Sequence, residues 1–81
     1  MFYVYILVSE KDPNKYYIGS TNNLEFRLEI HNKGRSIYTK RNRPWKLETY
    51  IVFSKKHLAI AFEKYLKHGS GNSFLKRRFL P

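Results

Sequence analysis

The first part of the chain alternates clearly between apolar segments and breaker residues. Residues 2–8 are almost all β-branched or aromatic, and apolar side chains occupy both alternate sets of positions. Because successive side chains of a strand point to opposite faces, this pattern predicts a central strand that is covered on both faces. Pro13 and Asn14 favour a turn, and residues 15–19 are again rich in β-formers. We therefore predict a β-hairpin of two antiparallel strands.

The next segment changes to the spacing of a helix. Leu24 and Leu28 are four residues apart and share one face of a helix over residues 24–32. Gly34 follows where a glycine commonly ends a helix. The start of the helix can be capped by any of three polar residues, Thr21, Asn22 or Asn23.

The second half of the chain repeats the order of strand and helix. Residues 47–53 predict a third strand, and residues 55–68 carry apolar residues at helical spacing. In that helix we expect the core-facing positions to be Leu58, Ala61 or Phe62, and Tyr65 or Leu66. Two glycines predict a hinge-like turn over residues 69–72, and residues 73–80 form a short last helix.

These elements fit one small α/β (α+β) domain that covers residues 1–81. The predicted order is β-β-α-β-α-α, with a three-stranded antiparallel β-sheet flanked by helices. Residues 2–8 are too few to span a bilayer, and we expect neither a membrane segment nor a signal peptide. Cysteine is absent, which excludes disulfides and thiolate zinc sites, and we expect a cytoplasmic protein.

Charge is the strongest signal in the composition. Lys and Arg number 16 against 6 Asp and Glu, for a net charge of +10. A basic excess of this size favours a polyanion, so nucleic acid, with DNA as the first choice, is the expected partner. Charge spread over all faces for solubility is one alternative. Binding to an anionic membrane surface is another, but the chain lacks the long basic amphipathic helix that this usually needs.

Two groups of basic residues are the predicted nucleic-acid contacts. Residues 35–44 have no clear period, and we interpret them as a loop that carries Arg35, Lys40, Arg41 and Arg43. Tyr38 and Trp45 add rings that can stack on bases, although we expect Trp45 to pack in the core. A disordered basic loop is the alternative. The last predicted helix adds three further cations, Lys76, Arg77 and Arg78.

Polar residues near the predicted hairpin offer coherent chemistry. Tyr5 lies on the first strand, Tyr17 and Gly19 end the second, Arg27 is on the next helix, and Glu63 is on a later helix. Two phenols, a guanidinium and a carboxylate suit a metal ion together with a phosphodiester.

Each of these residues also has an ordinary interpretation. The two tyrosines are alternatively core aromatics with hydrogen-bonded hydroxyls, which is the commoner fate of tyrosine in strands. Arg27 and His31 are four residues apart and alternatively form a solvated helix face. Glu63 and Lys67 have the same spacing and alternatively form a routine surface ion pair.

The tripeptides Tyr3-Val4-Tyr5 and Tyr17-Ile18-Gly19 resemble the paired signature of the GIY-YIG nuclease superfamily, with Tyr3 at the glycine position of the first motif. Arg27 stands where that family keeps a helix arginine, and Glu63 matches its metal-binding glutamate. The resemblance extends over nearly the whole chain and is nearest to the small stand-alone bacterial members.

The resemblance implies a metal-dependent endonuclease that hydrolyses DNA phosphodiester bonds by a one-metal mechanism. It implies that Glu63 is the single protein ligand of Mg²⁺ or Mn²⁺ and that Arg27 binds the phosphate. One motif tyrosine, which we take to be Tyr17, would orient or deprotonate the attacking water. Tyr5 and His31 would support it. His31 can instead act as the general base or donate to the phosphate, because its ordinary pKa lies near neutrality.

Two positions depart from the family pattern. Some members carry a lysine three residues after the second-motif tyrosine, where this chain has Ser20. Many carry an asparagine about a dozen residues after the glutamate, where this chain has Leu75; Ser20 and Asn72 are candidates to substitute. These departures lead to a second hypothesis, a non-catalytic nucleic-acid-binding module that keeps the GIY-YIG fold. An adaptor for an acidic protein is a third. Specificity can also come from a protein partner or a homodimer.

Overall fold

Three strands form one antiparallel sheet in the computed structural model, which describes all 81 residues. The strands are β1 (Phe2–Ser9), β2 (Tyr16–Thr21) and β3 (Trp45–Phe53), in the order β2-β1-β3 across the sheet. The central strand β1 is buried along most of its length, as its unbroken apolar sequence predicts. The predicted hairpin is confirmed. β2 runs two residues further, and β3 starts two residues earlier, than the sequence pattern indicates.

Three α-helices complete the predicted order β-β-α-β-α-α and cover both faces of the sheet. They are α1 (Leu24–Asn32), α2 (Lys56–Lys67) and α3 (Gly69–Arg78). α1 packs on one face through Leu24 and Leu28, whereas α2 and α3 pack on the other. The predicted fold class is therefore confirmed. None of these helices combines the length and the apolar character needed to cross a membrane.

The bounds of α1 are those that the sequence predicts, because the local signals at both ends are strong. Of the three candidate caps, Asn23 is the one used, and its side chain accepts a hydrogen bond from the Phe26 amide. Gly34 follows the helix with a φ of 75°, the left-handed conformation that glycine adopts without strain.

The junction between α2 and α3 differs from the prediction. Residues 69–72 were expected to form a hinge-like turn, and they are instead the first turn of α3. At Gly71 an added Cβ would collide with the Tyr65 carbonyl, so this glycine lets the two helices approach closely. The prediction is wrong here because the low helix propensity of glycine hides a position that packing requires.

The sheet divides the core into two clusters. The larger one lies under α2 and α3 and consists of Val4, Ile6, Ile18, Ala59, Leu66 and Leu75. The smaller one lies on the α1 side and consists of Tyr5, Leu7 and Trp45. Trp45 is 4% exposed, which confirms that it packs in the core. The candidate functional residues on β1 and β2 therefore sit above the smaller cluster.

The core-facing side of α2 differs from the predicted one at its first position. Leu58 is 47% exposed, so that expectation is wrong. Of the two predicted pairs, Phe62 rather than Ala61 and Leu66 rather than Tyr65 pack on the core. The side chains that pack inward are Ala59, Phe62 and Leu66. Glu63, directly after Phe62, reaches the end of β2 and contacts Ser20 there.

Candidate active site

The pairing of β1 with β2 places a tyrosine opposite a glycine. Tyr5 pairs with Gly19 in the antiparallel register, and Tyr5 is 1% exposed. A Cβ on Gly19 would collide with the hydroxyl and the ring of Tyr5. Gly19 therefore leaves the space that the phenol occupies, which explains why the strand carries a glycine at this point.

The Tyr5 phenol ends at a buried histidine. Its hydroxyl lies 2.9 Å from Nε2 of His31, and Nδ1 of His31 lies 2.7 Å from the Thr39 hydroxyl. His31 is 0% exposed, so the interpretation as a solvated helix face is wrong for this residue. A neutral imidazole has one donor and one acceptor nitrogen, and the two hydroxyls together satisfy both.

Burial determines the protonation of this pair. Burial, aided by the positive charge of Arg27, lowers the pKa of His31 to about 4. Burial also raises the pKa of Tyr5, while the nearby Arg27 guanidinium acts in the opposite direction. Both groups are therefore neutral near pH 7, and Arg27 lies close enough to influence each of them.

Tyr17 joins the cluster from β2. Its ring centroid is 4.9 Å from that of His31 and 6.3 Å from that of Tyr5. Unlike Tyr5, Tyr17 is only half-buried, and its hydroxyl has no hydrogen-bond partner in the protein. The Tyr17 phenol is therefore the one that remains available to water or to a bound molecule.

Glu63 approaches the same strand from α2. The Ser20 hydroxyl donates a hydrogen bond of 2.6 Å to Oε1, and the Lys67 ammonium donates one of 2.6 Å to Oε2. The ion pair with Lys67 that the helical spacing suggests is thus present. The charge of Glu63 also contributes to the raised pKa of Tyr5. The carboxylate therefore lies within electrostatic reach of the phenol cluster.

The donor set at Glu63 fits a hard divalent cation with one protein ligand. No group of three or more His, Cys, Asp or Glu side chains is arranged to hold a metal. Mg²⁺ commonly binds through one or two carboxylates and completes its shell with water and substrate phosphates. Lys67 occupies one carboxylate oxygen, but its side chain is 41% exposed and can move away from the site.

The predicted nucleic-acid contacts form two separate groups, one in the loop between α1 and β3 and one on α3. All seven are exposed: Arg35, Lys40, Arg41, Arg43, Lys76, Arg77 and Arg78. The last three lie on α3, on the opposite side of the sheet from α1. The first four lie in the loop between α1 and β3, which contains a 3₁₀ turn at Lys40–Asn42 and a buried Thr39. Buried Thr39 anchors this loop, in contrast to the disordered alternative.

The candidate catalytic residues on β1, β2, α1 and α2 lie within a segment that matches a known catalytic domain. The sequence model of the GIY-YIG catalytic domain matches residues 1–77 of the chain. This chain belongs to the GIY-YIG family. The matched span includes every candidate catalytic residue described above, from the first tyrosine motif to the glutamate on α2.

Relatives of this GIY-YIG chain fall into two groups. The structure-specific endonuclease subunit slx1 of Schizosaccharomyces japonicus is 45% identical over 74 residues, which cover 84% of this chain but only 27% of the relative. A UPF0213 protein of Clostridium perfringens is 39% identical over 77 residues, which cover 94% of this chain and 81% of the relative. The solution structure of a UPF0213 protein from Bacillus halodurans has a TM-score of 0.57 at 27% identity, covering 100% of this chain and 89% of the other.

Both departures from the GIY-YIG pattern have a structural account. Ser20, at the lysine position of some members, donates directly to Glu63. Leu75, at the asparagine position of many, is 0% exposed in the core. Asn72 donates to the Tyr16 hydroxyl and to the Leu66 carbonyl, so it fastens α3 to α2 and β2 and makes no contact with the carboxylate.

Thr39 is the site residue that the sequence analysis missed. Its hydroxyl is hydrogen-bonded to His31, and its carbonyl accepts a hydrogen bond of 2.8 Å from the Trp45 indole. It lies in a loop without any hydrophobic period, eight residues from His31. No pattern in the sequence therefore links the two.

Proposed function

We propose that this domain is an endonuclease that hydrolyses phosphodiester bonds of DNA with the help of Mg²⁺ or Mn²⁺. The observation that carries the proposal is the proximity of five groups at the β2 edge of the sheet: Tyr5, Tyr17, Arg27 and His31 on the α1 face, and Glu63, which reaches β2 from α2 and lies within electrostatic reach of Tyr5. A guanidinium, an available phenol and a carboxylate meet the needs of phosphodiester hydrolysis, which are charge neutralisation, an oriented water and a cation ligand.

Arg27 and Tyr17 are the residues assigned to direct contact with the substrate. A guanidinium can bind two phosphate oxygens at once and can stabilise the charge that develops on them. The Tyr17 hydroxyl, which has no partner in the protein, would accept a hydrogen bond from the attacking water and orient it towards the phosphorus. The half-buried position of Tyr17 supports this role.

Tyr5 and His31 are assigned a supporting role. Both ring nitrogens of His31 are engaged, and the imidazole is fully buried. It would therefore hold the Tyr5 phenol in place while remaining out of contact with the substrate. The Tyr5 ring in turn packs beside Tyr17 and limits the positions that the Tyr17 ring can take.

Glu63 is the residue that would hold the divalent cation. The cation, when bound, would polarise a phosphate oxygen and lower the pKa of a coordinated water. Ser20 would keep Oε1 of the carboxylate in a fixed orientation, as its short hydrogen bond supports. Lys67 would have to release Oε2 when the cation binds.

The net charge of +10 and the exposed cations of the loop support a nucleic-acid substrate. The slx1 relatives carry the name of a structure-specific endonuclease subunit. That name supports, for this chain too, a substrate defined by its structure and a protein partner or second copy that completes the enzyme.

The decisive experiment compares Glu63→Gln with a matched variant on plasmid and branched DNA. Glu29→Gln is the control, because Glu29 forms the same type of i,i+4 ion pair, with Lys33 at 2.6 Å, but is exposed and outside the cluster. We expect Glu63→Gln and Arg27→Ala to lose at least about a hundredfold in cleavage rate, while Glu29→Gln keeps the wild-type rate. Equal cleavage by the wild type and Glu63→Gln would overturn the proposal.

A non-catalytic nucleic-acid-binding module is the second candidate. It is favoured by one observation, that Ser20 and Lys67 already occupy both oxygens of Glu63. It predicts salt-sensitive DNA binding, driven by the release of counterions, and no cleavage with any divalent cation. Metal-dependent cleavage that Glu63→Gln abolishes would exclude it.

A further inference from the structure

Two neighbouring apolar side chains project into solvent from the loop between α1 and β3. Ile37 is 84% exposed and Tyr38 is 82% exposed, the two highest values among the large hydrophobic residues of the chain. Single exposed apolar residues are common on protein surfaces. Two consecutive ones, this open and this close to the candidate active site, have no packing role in the fold.

The loop holds this pair on a fixed base. Thr39, the next residue, is 1% exposed and is hydrogen-bonded on one side to His31 and on the other to the Trp45 indole. The amides of Thr39 and Lys40 both donate to the Ser36 carbonyl and so close a turn around the exposed pair. The Tyr38 ring is thus connected through one residue to the hydrogen bonds that position Tyr5.

The loop that carries the pair has only positive charges of its own. The chain has no acidic residue between Glu29 and Glu48, and the exposed cations of the loop are Arg35, Lys40, Arg41 and Arg43. None of these four forms a salt bridge. The loop itself therefore offers an anionic partner no competing carboxylate. Glu10, whose amide donates to the Pro44 carbonyl, and Glu29, whose carboxylate interacts with the charge of Arg35, lie at its borders. Ile37, Lys40, Arg41 and Arg43 together line a shallow open depression.

We propose that the Tyr38 ring stacks against an unpaired base of the nucleic-acid substrate, with Ile37 in apolar contact beside it, while the loop cations bind the adjacent phosphates. A ring flanked by cations is the arrangement with which proteins hold single strands, because every base has a π-face and every nucleotide a phosphate. Base pairs inside a duplex are covered by their neighbours on both faces. The pair therefore selects substrates with an unpaired base near the scissile phosphate, such as a flap, a junction or a single strand.

This inference rests on the proposed function and adds the class of substrate to it. Tyr38 is next to Thr39, which is hydrogen-bonded to His31, and His31 is hydrogen-bonded to Tyr5. The exposed pair therefore has a fixed position relative to the candidate active site. A base held on Tyr38 would fix the strand relative to the cluster on β1 and β2, so the loop would position the strand and the cluster would act on it.

The test measures binding to a single-stranded oligonucleotide and to a blunt duplex of the same length, without divalent cations, by fluorescence anisotropy. We expect Tyr38→Ala to bind the single strand about tenfold more weakly, since stacking on one base is worth about 1–3 kcal/mol. Tyr38→Phe should keep the wild-type affinity, because the ring alone stacks. Duplex binding should change less than about twofold in both variants. Tyr50→Ala removes another exposed tyrosine, 49% exposed and located on β3 outside the loop, as the control.

A second readout separates stacking from charge. The single strand carries 2-aminopurine, whose emission falls when its ring is stacked, and this quenching should disappear in Tyr38→Ala and persist in Tyr38→Phe. The slope of affinity against salt should stay the same, because no phosphate contact is removed.

Three outcomes would overturn the inference. One is a Tyr38→Ala variant that binds the single strand as well as the wild type, and another is an equal loss on strand and duplex. If either occurs in a protein that still cleaves DNA, the proposed function stands and only the role of the pair is lost. The third is a wild type that binds neither oligonucleotide, which overturns the inference; cleavage of plasmid and branched DNA by the same protein then decides whether the proposed function stands.

Discussion

Acidification below neutral pH should destabilise the fold through one buried histidine. His31 is fully buried and exchanges hydrogen bonds with the hydroxyls of Tyr5 and Thr39. Its ordinary pKa of 6.5 is lowered to about 4, mainly by burial and further by the charge of Arg27. A proton on this ring would place a positive charge in the core next to a guanidinium.

The sign and size of the effect follow from the two pKa values. Between about 6.5 and about 4 the unfolded chain holds the His31 proton and the folded chain does not. The free energy of unfolding therefore decreases as the pH falls through this window, and the contribution of neutral His31 is complete only above the unfolded value. The linkage relation gives a loss of about 2 kcal/mol between about pH 7.5 and about pH 5.

Urea unfolding at a series of pH values would measure this loss. Trp45 is the only tryptophan and is 4% exposed, so its fluorescence reports on unfolding. The lowered pKa of Glu29 adds a loss of the same sign, but only at pH values below its ordinary 4.5. In His31→Gln the slope above pH 5 should nearly disappear. It should persist in the control, a double variant of the exposed His57 and His68 to Gln. Parallel curves for wild type and His31→Gln would refute the reasoning.

Two further variants test the packing and the electrostatics of the site. Gly19→Ala should lower the free energy of unfolding by about 1–3 kcal/mol, because its Cβ collides with the Tyr5 phenol; an unchanged melting temperature would contradict the collision. Lys67→Ala should tighten Mn²⁺ binding by about two- to fivefold in calorimetric titrations, since an exposed ion pair worth at most about 1 kcal/mol no longer competes for Glu63. The neighbouring Lys64→Ala should leave the affinity unchanged, and equal affinities for all three proteins would contradict the competition.

The sequence predicted the sheet and α1 well, because their signals are local. Apolar residues at both the odd and the even positions of β1 indicate a strand that is covered on both faces. The side chain of Asn23 caps the start of α1, and the positive φ of Gly34 follows its end. The first turn of α3 could not be predicted in this way. Gly71 is there because the Tyr65 carbonyl leaves no room for a Cβ, and that contact exists only after α2 and α3 have packed.

The same distinction between local signals and tertiary contacts applies to the candidate site. The residues that share a motif or a helical spacing, such as Tyr5, Tyr17 and Arg27, are candidates that the sequence itself suggests, and the structure places them near one another. The sequence does not suggest the hydrogen bonds that hold them. Ser20 and Glu63 are 43 residues apart, and Thr39 lies in a loop without a period. Contacts of this kind depend on tertiary packing and have no signature in one sequence.

The burial of each tyrosine determines whether a variant at that position reports on catalysis alone or also on stability. Tyr5 is at once a core side chain, the reason for a glycine at position 19, and the partner of His31. Its removal leaves a buried imidazole nitrogen without a partner, which lowers stability whatever the phenol does for a substrate. Tyr17 is half-buried and its hydroxyl is unbonded, so Tyr17→Phe removes only the hydroxyl. Loss of cleavage in Tyr17→Phe therefore measures the chemistry of the phenol, whereas loss in a Tyr5 variant combines chemistry with the cost of opening the core.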